Sequence, residues 1–255
     1  MQNSNIKIML LLIALVAGPA GATESADKPA TLDADPNLVG WWKFDETAGN
    51  TAVDSSKHKR DGTLNGDLSF DKSSAPGKSG KAIQLGGKGA WIEVKEYKGV
   101  AGTRPRTVAA WIKATAPQGE IVSWGTEDFG QMFTFGFIRG RIGVSPHGGY
   151  LYMNPETHND EWHHVAAVVR QAESPNLHDD VKLYLDGAPA EIHDIGLLDL
   201  WPIQTGDKLN VRIGRGFKGS LDDLRIYDRP LSDEEVKALF KLETSQPLST
   251  DKRRS

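Results

Sequence analysis

The chain has 255 residues, of which 38% are hydrophobic, and its seven Trp and eight Phe supply enough apolar side chains for one large or two small domains. Its net charge of −4 provides no basic field for binding nucleic acid. The sequence contains no cysteine, which excludes disulfides, a thiol nucleophile and lipid attachment through cysteine.

The first 22 residues have the three parts of a secretory signal peptide. Lys7 supplies the positive start, an apolar run extends from Met9 to Val16, and Ala20-Gly21-Ala22 is a small-residue cleavage site. The apolar run is shorter than the roughly 18 residues that a transmembrane helix needs. We therefore predict cleavage of residues 1–22, no transmembrane segment in the remaining chain, and a secreted or periplasmic location.

Composition predicts a flexible segment at each end of the mature chain. Residues 23–37 are rich in Ala, Thr, Asp, Glu, Ser and Pro, which is typical of a flexible leader. Residues 244–255 are polar and end in Lys252-Arg253-Arg254-Ser255, which predicts a frayed tail. A single domain is expected between them, over residues 38–243.

Short runs of alternating polarity predict strands along this domain. The predicted strands are 38–44, 81–85, 90–94, 107–114, 120–124, 132–138, 141–144, 162–170, 181–185 and 208–213. Residues 45–66 are predicted as a long loop, residues 86–89 as a hairpin loop, and Asp186-Gly187 as a tight turn. The strand at 162–170 is apolar on both faces, which is typical of a central strand.

The segment from Gly214 to Ser232 contains an irregular strand. Leu224 and Ile226 alternate with polar neighbours, which predicts a half-buried strand. Leu221 breaks this alternation, because residues three apart cannot share a strand face. A kink, a bulge or the start of the strand is therefore expected at Asp222-Asp223.

One helix is predicted, and it follows this last strand. Ser232 and Glu235 have the spacing of a capping box, and Val236, Leu239 and Phe240 form one apolar face. Many short strands with one short C-terminal helix predict an all-β sandwich.

Four blocks of the sequence carry a resemblance to a known family. They are Gly40-Trp41-Trp42-Lys43-Phe44-Asp45-Glu46 with Asp54-Ser55-Ser56, Thr107-Val108-Ala109-Ala110-Trp111-Ile112-Lys113, Trp162-His163-His164-Val165-Ala166 with Leu183-Tyr184-Leu185-Asp186-Gly187, and residues 217–232. Together they resemble the laminin G-like jelly-roll domains of the concanavalin A-like lectin/glucanase superfamily. The resemblance implies a jelly-roll β-sandwich of two antiparallel sheets in which the N- and C-terminal strands pair. Members of this family commonly bind sugars or proteins, and many carry a calcium ion.

The resemblance also implies a structural calcium (Ca²⁺) site. Pairing of the end strands would bring Asp45 and Glu46 near Asp222 and Asp223, and Asp54 offers a fifth carboxylate. Calcium takes six to eight oxygen ligands from carboxylates, carbonyls and water. The alternative is that Asp54 caps a turn and that Asp222 or Asp223 accepts backbone hydrogen bonds.

Aromatic and polar side chains in loops are candidates for binding a carbohydrate or a cell-surface glycan. These candidate ligand-binding residues are Trp124, His147, Tyr150, Tyr152 and Trp201. The alternative is that most aromatic side chains belong to the core, as expected for Trp41, Trp111 and Trp162, which lie in strand patterns. His163 and His164 are adjacent and would point to opposite faces of a strand, so they cannot bind one zinc ion together. We expect His164 to form a hydrogen bond inside the sandwich.

Catalytic motifs are absent from the sequence. Glucanases of this fold carry two Glu flanking an Asp along one strand, and neither E-x-D-x-E nor E-x-D-x-x-E occurs here. The chain also has no G-x-S-x-G motif and no phosphate-binding loop. We therefore predict a secreted, non-catalytic carbohydrate-binding domain. The alternatives are a protein-interaction or envelope-structural module, and a divergent glycoside hydrolase whose two carboxylates come from distant segments.

Overall fold

The computed structural model describes residues 31–196 and 202–244. These residues form seventeen strands, three α-helices and one 3-10 turn. The strands are β1 (Leu38–Trp42), β2 (Thr51–Ala52), β3 (Gly62–Asn65), β4 (Ser74–Pro76), β5 (Lys81–Gly86), β6 (Trp91–Val94), β7 (Arg106–Ala114), β8 (Glu120–Gly125), β9 (Met132–Ile138), β10 (Arg141–Ser145), β11 (Tyr150–Met153), β12 (His163–Val169), β13 (Val181–Leu185), β14 (Ala188–Pro189), β15 (Ile192–Gly196), β16 (Leu209–Ile213) and β17 (Lys218–Tyr227). The 3-10 turn spans Leu32–Ala34, and the helices are α1 (Phe70–Ser73), α2 (Leu177–Asp180) and α3 (Asp233–Thr244).

The strands form two antiparallel sheets that enclose a common core. The eight-stranded sheet has the order β14-β13-β12-β7-β17-β5-β4, and β1 also pairs with β17. The nine-stranded sheet has the order β15-β11-β10-β9-β8-β16-β6-β3-β2. This arrangement confirms the predicted all-β sandwich.

Two apolar clusters stabilise the sandwich. The larger cluster includes Trp42, Trp124 and Phe133 from both sheets. The second lies on the outer face of the eight-stranded sheet, where Val236 and Leu239 of α3 join apolar side chains of that sheet. Burying each of these two helix side chains stabilises the fold by about 1.5–3 kcal/mol. The central strands of this sheet are therefore buried on both faces, as predicted for residues 162–170.

The last strand, β17, joins the two ends of the chain. Its whole length lies beside β7, while its other side pairs first with β5 and then with β1. The register with β7 shifts between Asp222 and Arg225, and Asp223 has a positive φ of 47°. The predicted irregularity at Asp222-Asp223 is therefore a bulge, and it lies where the partner strand changes.

Local signals for the last helix and one hairpin are confirmed. The backbone N–H of Ser232 donates to Glu235 Oε2 at 2.8 Å, and the N–H of Glu235 donates to Ser232 Oγ at 3.2 Å. Asp186 and Gly187 have φ of 51° and 78°, as a two-residue turn requires, and they join β13 to β14.

Four predictions of local structure need correction. Residues 86–89 do not form a hairpin, because β5 belongs to the eight-stranded sheet and β6 to the nine-stranded sheet. The predicted loop 45–66 contains β2 and β3, and the four-residue helices α1 and α2 were not predicted. The predicted flexible leader is too long, because Leu32 is buried and Asp33 and Asp35 form ion pairs with arginines of the sandwich.

The predicted signal peptide, residues 23–30 of the leader and the tail beyond residue 244 lie outside the described residues. Within the part of the chain that is described, no helix is long and apolar enough to cross a membrane.

Candidate functional site

Three of the five predicted calcium ligands line one small cavity, and they are Asp45, Asp222 and Asp223. Asp222, at the bulge of β17, and Asp45, which follows β1, both line a cavity of about 170 Å³. Asp222 Oδ2 accepts hydrogen bonds from the backbone N–H groups of Lys78 at 2.7 Å and Ser79 at 3.0 Å. Burial, together with the charges of Asp223 and Asp45, raises the pKa of Asp222 to about 8. The same cavity is also lined by the cationic side chains of Lys43 and Arg225.

Asp223 lines the same cavity, but its oxygens are already bonded. Its Oδ2 accepts from Arg225 Nε at 2.7 Å, and its Oδ1 accepts from the indole N–H of Trp41. The guanidinium of Arg225 also pairs with Asp33 and lies 4.3 Å from the centre of the Trp41 ring. Asp223 therefore belongs to a structural network of hydrogen bonds and ion pairs that joins the first strand to the last.

Asp54 holds a turn and, contrary to the calcium prediction, has no free carboxylate edge. It is completely buried. Its oxygens accept from the backbone N–H groups of Trp41 at 2.9 Å, Ser56 at 2.8 Å and Arg60 at 2.8 Å, and from the Ser56 hydroxyl at 2.8 Å. These four bonds satisfy the carboxylate, so Asp54 has the capping role that the sequence left as the alternative.

Glu46 is also separate from the cavity, since its Oε1 accepts from the backbone N–H of Val53 at 2.7 Å. In residues 31–196 and 202–244 no group of three or more His, Cys, Asp or Glu side chains could hold a metal ion. Because calcium needs six to eight oxygens, the donor set does not fit a cage of carboxylates. Asp45 remains beside Asp222 at the cavity, and its Oδ1 accepts from the backbone N–H of Lys81 at 2.8 Å.

The tryptophans predicted to bind sugar do not form a surface. Trp124 is fully buried, packs on Phe133 with ring centres 4.6 Å apart, and donates its indole N–H to the carbonyl of Val100 at 3.2 Å. The prediction for Trp124 is therefore wrong, because no ligand can reach a ring inside the core. Trp201 lies outside the described residues.

Tyr150 and Tyr152 are held in a stack that covers the faces of both rings. Their ring centres are 5.6 Å apart, the guanidinium of Arg139 lies 4.3 Å from the centre of Tyr150, and His193 stacks on Tyr152 at 5.4 Å. Both hydroxyls donate to Asp194 Oδ2 at 3.3 Å. Contrary to the prediction, neither ring offers a free face for stacking on a sugar, because neighbours occupy the faces and Tyr152 is only 6% exposed.

The outer face of the nine-stranded sheet carries a continuous row of polar residues. Directly opposite residues of antiparallel strands share one face, so the strand register defines this polar row. It consists of Thr63, Glu93, Arg212, Ser123, Thr134 and Ser145, on β3, β6, β16, β8, β9 and β10. The opposite face of the same strands is apolar and faces the core.

An open groove of about 350 Å³ crosses this face along β8, β9 and β10. Glu120 and Arg215 line one end, Thr134 and Ser145 line the middle, and Glu127 and His147 line the other end, with Met132, Ile138 and Gly148 completing the lining. Phe129 is 51% exposed and packs on His147 of the lining in an edge-to-face arrangement, with ring centres 5.2 Å apart. His147 is thus a predicted ligand-binding residue that lines this groove.

Each acidic side chain of the groove lies near an arginine. Glu120 forms a two-pronged pair with Arg215, at 2.7 Å from Nη2 and 3.2 Å from Nε, and it also accepts from the hydroxyl of Ser123. Glu127 lies 3.7 Å from Arg212, which is a looser contact, and its side chain is 62% exposed. The groove therefore presents hydroxyls, carboxylates and a histidine in a nearly neutral setting.

Sequence reasoning missed Trp91, which is half-buried on the same face of the sheet. Ile92 and Val94 point into the core, so Trp91 and Glu93 point outward, and Trp91 lies opposite Asn65. The alternation of Trp91 and Glu93 with Ile92 and Val94 contained this information. The alternation did not show which of the two sheets would contain this strand.

The adjacent histidines have different environments, as predicted from strand geometry. His163 Nδ1 contacts Asp186 Oδ2 at 3.0 Å, and this hydrogen bond raises the pKa of His163. His164 is buried against Trp111, with ring centres 5.4 Å apart, and burial lowers its pKa to about 4. The expected hydrogen bond of His164 is not found at Nδ1, which has no partner among the described residues.

A family model described as the concanavalin A-like lectin/glucanases superfamily matches residues 85–237. A comparison with curated proteins returned no match.

Among solved structures, the fold is similar to domain 4 of AbnA, a GH43 extracellular arabinanase from Geobacillus stearothermophilus, in complex with arabinotriose. The TM-score is 0.59 at 20% identity, covering 80% of this chain and 98% of that domain. The binding domain of botulinum neurotoxin serotype D gives 0.50 at 12% identity, covering 81% of this chain and 51% of that one. The binding domain of Paraclostridial Mosquitocidal Protein 1 gives a TM-score of 0.50 at 14% identity, covering 82% of this chain and 53% of that one. At these identities the similarity shows the fold, and this chain spans about half the length of each toxin domain.

Proposed function

Because the chain belongs to the concanavalin A-like lectin/glucanases superfamily, we propose that it is a secreted, non-catalytic carbohydrate-binding domain. Its ligand lies in the groove on the outer face of the nine-stranded sheet. The observation that carries the proposal is the lining of this groove, where Thr134, Ser145, Glu127 and His147 offer hydrogen-bonding groups beside exposed Phe129. Sugar sites combine an apolar ring surface with a few well-placed polar groups. Here the polar groups line the groove, and the apolar ring is that of Phe129, which packs on His147 of the lining.

The similarity to the arabinanase domain supports this class of ligand. That domain was solved in complex with arabinotriose, and it shares the sandwich over nearly its whole length. Arabino-oligosaccharides are therefore among the first probes for this chain.

The contacts of Glu120 support a binding role over hydrolysis. A glycoside hydrolase needs two carboxyl groups that act on the bond between them, one of which exchanges a proton. Glu120 is paired with Arg215 through two nitrogens and is bonded to Ser123, so it is held as a structural anion. Glu127 therefore lacks a partner for catalysis, because the lining of the groove, among the described residues, contains no second free carboxylate.

We also propose Asp45 and Asp222 as ligands of a structural calcium ion. Bound calcium would supply a positive charge at the place where Asp222 is buried beside Asp45. The site would hold β17 and the segment after β1 together. The backbone N–H groups of Lys78 and Ser79 fix one oxygen of Asp222. The expected effect is on stability, since the cavity and the groove lie on different sheets.

The binding proposal can be tested with a glycan array, followed by calorimetry on each hit. Thr134→Arg places a long side chain in the middle of the groove, and we expect affinity to fall at least about tenfold, or 1.4 kcal/mol. Thr51→Arg is the matched control, because Thr51 is an exposed residue of edge strand β2 that does not line the groove. Equal affinities for both variants would place the ligand elsewhere. Failure to bind any glycan would contradict the proposal and favour the protein-interaction alternative.

A further inference from the structure

The charges of the groove point to the class of saccharide that it accepts. Its lining residues carry two carboxylates, Glu120 and Glu127, and one guanidinium, that of Arg215. Arg215 directs Nε and Nη2 at Glu120, and this pairing raises the pKa of the Arg215 guanidinium. Two nitrogens of Arg215 are therefore directed at Glu120, although 47% of the arginine side chain is exposed.

The other end of the groove has residual negative charge. The contact of 3.7 Å between Glu127 and Arg212 is longer than a hydrogen bond, and 62% of the Glu127 side chain is exposed. Arg212 also directs Nη2 toward the Ser123 hydroxyl at 3.4 Å, and its own side chain is only 14% exposed. An anion entering beside His147 would meet the open carboxylate of Glu127 before it met either arginine.

The middle of the groove suits hydroxyl groups. Thr134 and Ser145 lie opposite each other on β9 and β10, and each hydroxyl can both donate and accept a hydrogen bond. A carboxylate such as that of Glu127 accepts hydrogen bonds from sugar hydroxyls but repels a uronate, sulfate or phosphate group. Neutral hydroxyl-rich rings satisfy these partners without an unpaired charge.

We propose that the groove selects neutral saccharides and discriminates against saccharides that carry carboxylate, sulfate or phosphate groups, with Glu127 as the residue that sets this selectivity. This inference rests on the proposed function and specifies the ligand class of the same site.

The test compares neutral and acidic glycans against wild type and two variants. On an array of neutral, uronate, sialylated and sulfated glycans, we expect wild type to bind neutral members at least about tenfold more tightly than acidic members of similar length. Glu127→Gln should improve the affinity for acidic members, relative to neutral members of similar length, about fivefold or more. Glu156→Gln is the matched control, because its side chain is 63% exposed and also contacts an arginine, Arg141, at 3.3 Å.

Three outcomes would overturn the inference. Preference of wild type for acidic glycans would refute the selectivity while leaving carbohydrate binding intact. Unchanged discrimination in Glu127→Gln, or an equal change in Glu156→Gln, would refute the role of Glu127. Absence of binding to every glycan class would refute the proposed function itself and the inference with it.

Discussion

Asp45 and Asp222 line one cavity although they are far apart in the sequence, because β1 and β17 pair beside the bulge. Asp222 is buried, and the charge of Asp45 contributes to the rise of its pKa. We propose that a divalent cation bound here would stabilise the two carboxylates and that its removal would destabilise them.

The first prediction follows from the calcium proposal. Calcium at about 100 times its Kd should stabilise the fold by about 2.7 kcal/mol, and a chelator should reverse the gain. Thermal unfolding with calcium, with magnesium and with chelator measures this effect as a change in Tm. Asp222→Asn should remove the calcium-dependent change, whereas Asp160→Asn, at an exposed ion pair with Lys113, should retain it. A Tm of wild type that does not respond to calcium would contradict the proposal.

The second prediction concerns the turn held by Asp54. Asp54→Ala leaves the buried backbone N–H groups of Trp41, Ser56 and Arg60 without their acceptor. Each buried donor left unpaired costs about 1–3 kcal/mol, so we expect a loss of at least about 3 kcal/mol in the free energy of unfolding by urea. Asp67→Ala, at an exposed position, is the control and should change stability by less than about 0.5 kcal/mol. A small effect of Asp54→Ala would show that the turn forms without its cap.

The third prediction is a dependence of stability on pH through His164. Burial lowers its folded-state pKa to about 4, whereas the unfolded chain has the ordinary value of 6.5. Between these values the unfolded state binds the extra proton, so this contribution to stability is complete above pH 6.5 and is lost as pH falls toward 4. At pH 5 the loss attributable to His164 should be about 2 kcal/mol.

Urea unfolding of wild type and His164→Phe at pH 7.5 and pH 5 measures this contribution of His164 to the free energy of unfolding. The variant should lose less stability than wild type between the two pH values, because phenylalanine cannot take up a proton beside Trp111. His178→Phe, at an exposed histidine of α2, should behave like wild type. Identical pH dependence in wild type and His164→Phe would exclude His164 as the titrating group.

The fourth prediction concerns the start of α3. Ser232→Ala removes the hydroxyl that accepts from the N–H of Glu235 and should lower the free energy of unfolding by about 1 kcal/mol. Glu234→Gln changes an exposed residue of the same turn that is outside the capping box, so it should have a smaller effect. No loss in Ser232→Ala, with a loss in Glu234→Gln, would mean that charge in the first turn, and not the cap, stabilises this helix end.

The parts of the fold that depend on residues close together in the sequence were predictable from the sequence. The capping box of Ser232 and Glu235, the Asp186-Gly187 turn and the irregularity at Asp222-Asp223 all follow from residues a few positions apart. The hairpin assigned to residues 86–89 failed for a nonlocal reason. Its two strands pair with β17 and β16, and nothing in the loop itself indicates that it crosses between sheets.

The sequence by itself determined the class of fold, because alternating polarity and turn residues act over a few positions and leave few alternatives to a sandwich. Only the tertiary structure decided the roles of the candidate site residues. It buried Trp124 in the core, covered the ring faces of Tyr150 and Tyr152, engaged Asp54 and Asp223 in hydrogen bonds, and placed His147 in the groove. The physical reason is that exposure and charge depend on which distant strands become neighbours, and that pairing is set by packing over the whole sandwich.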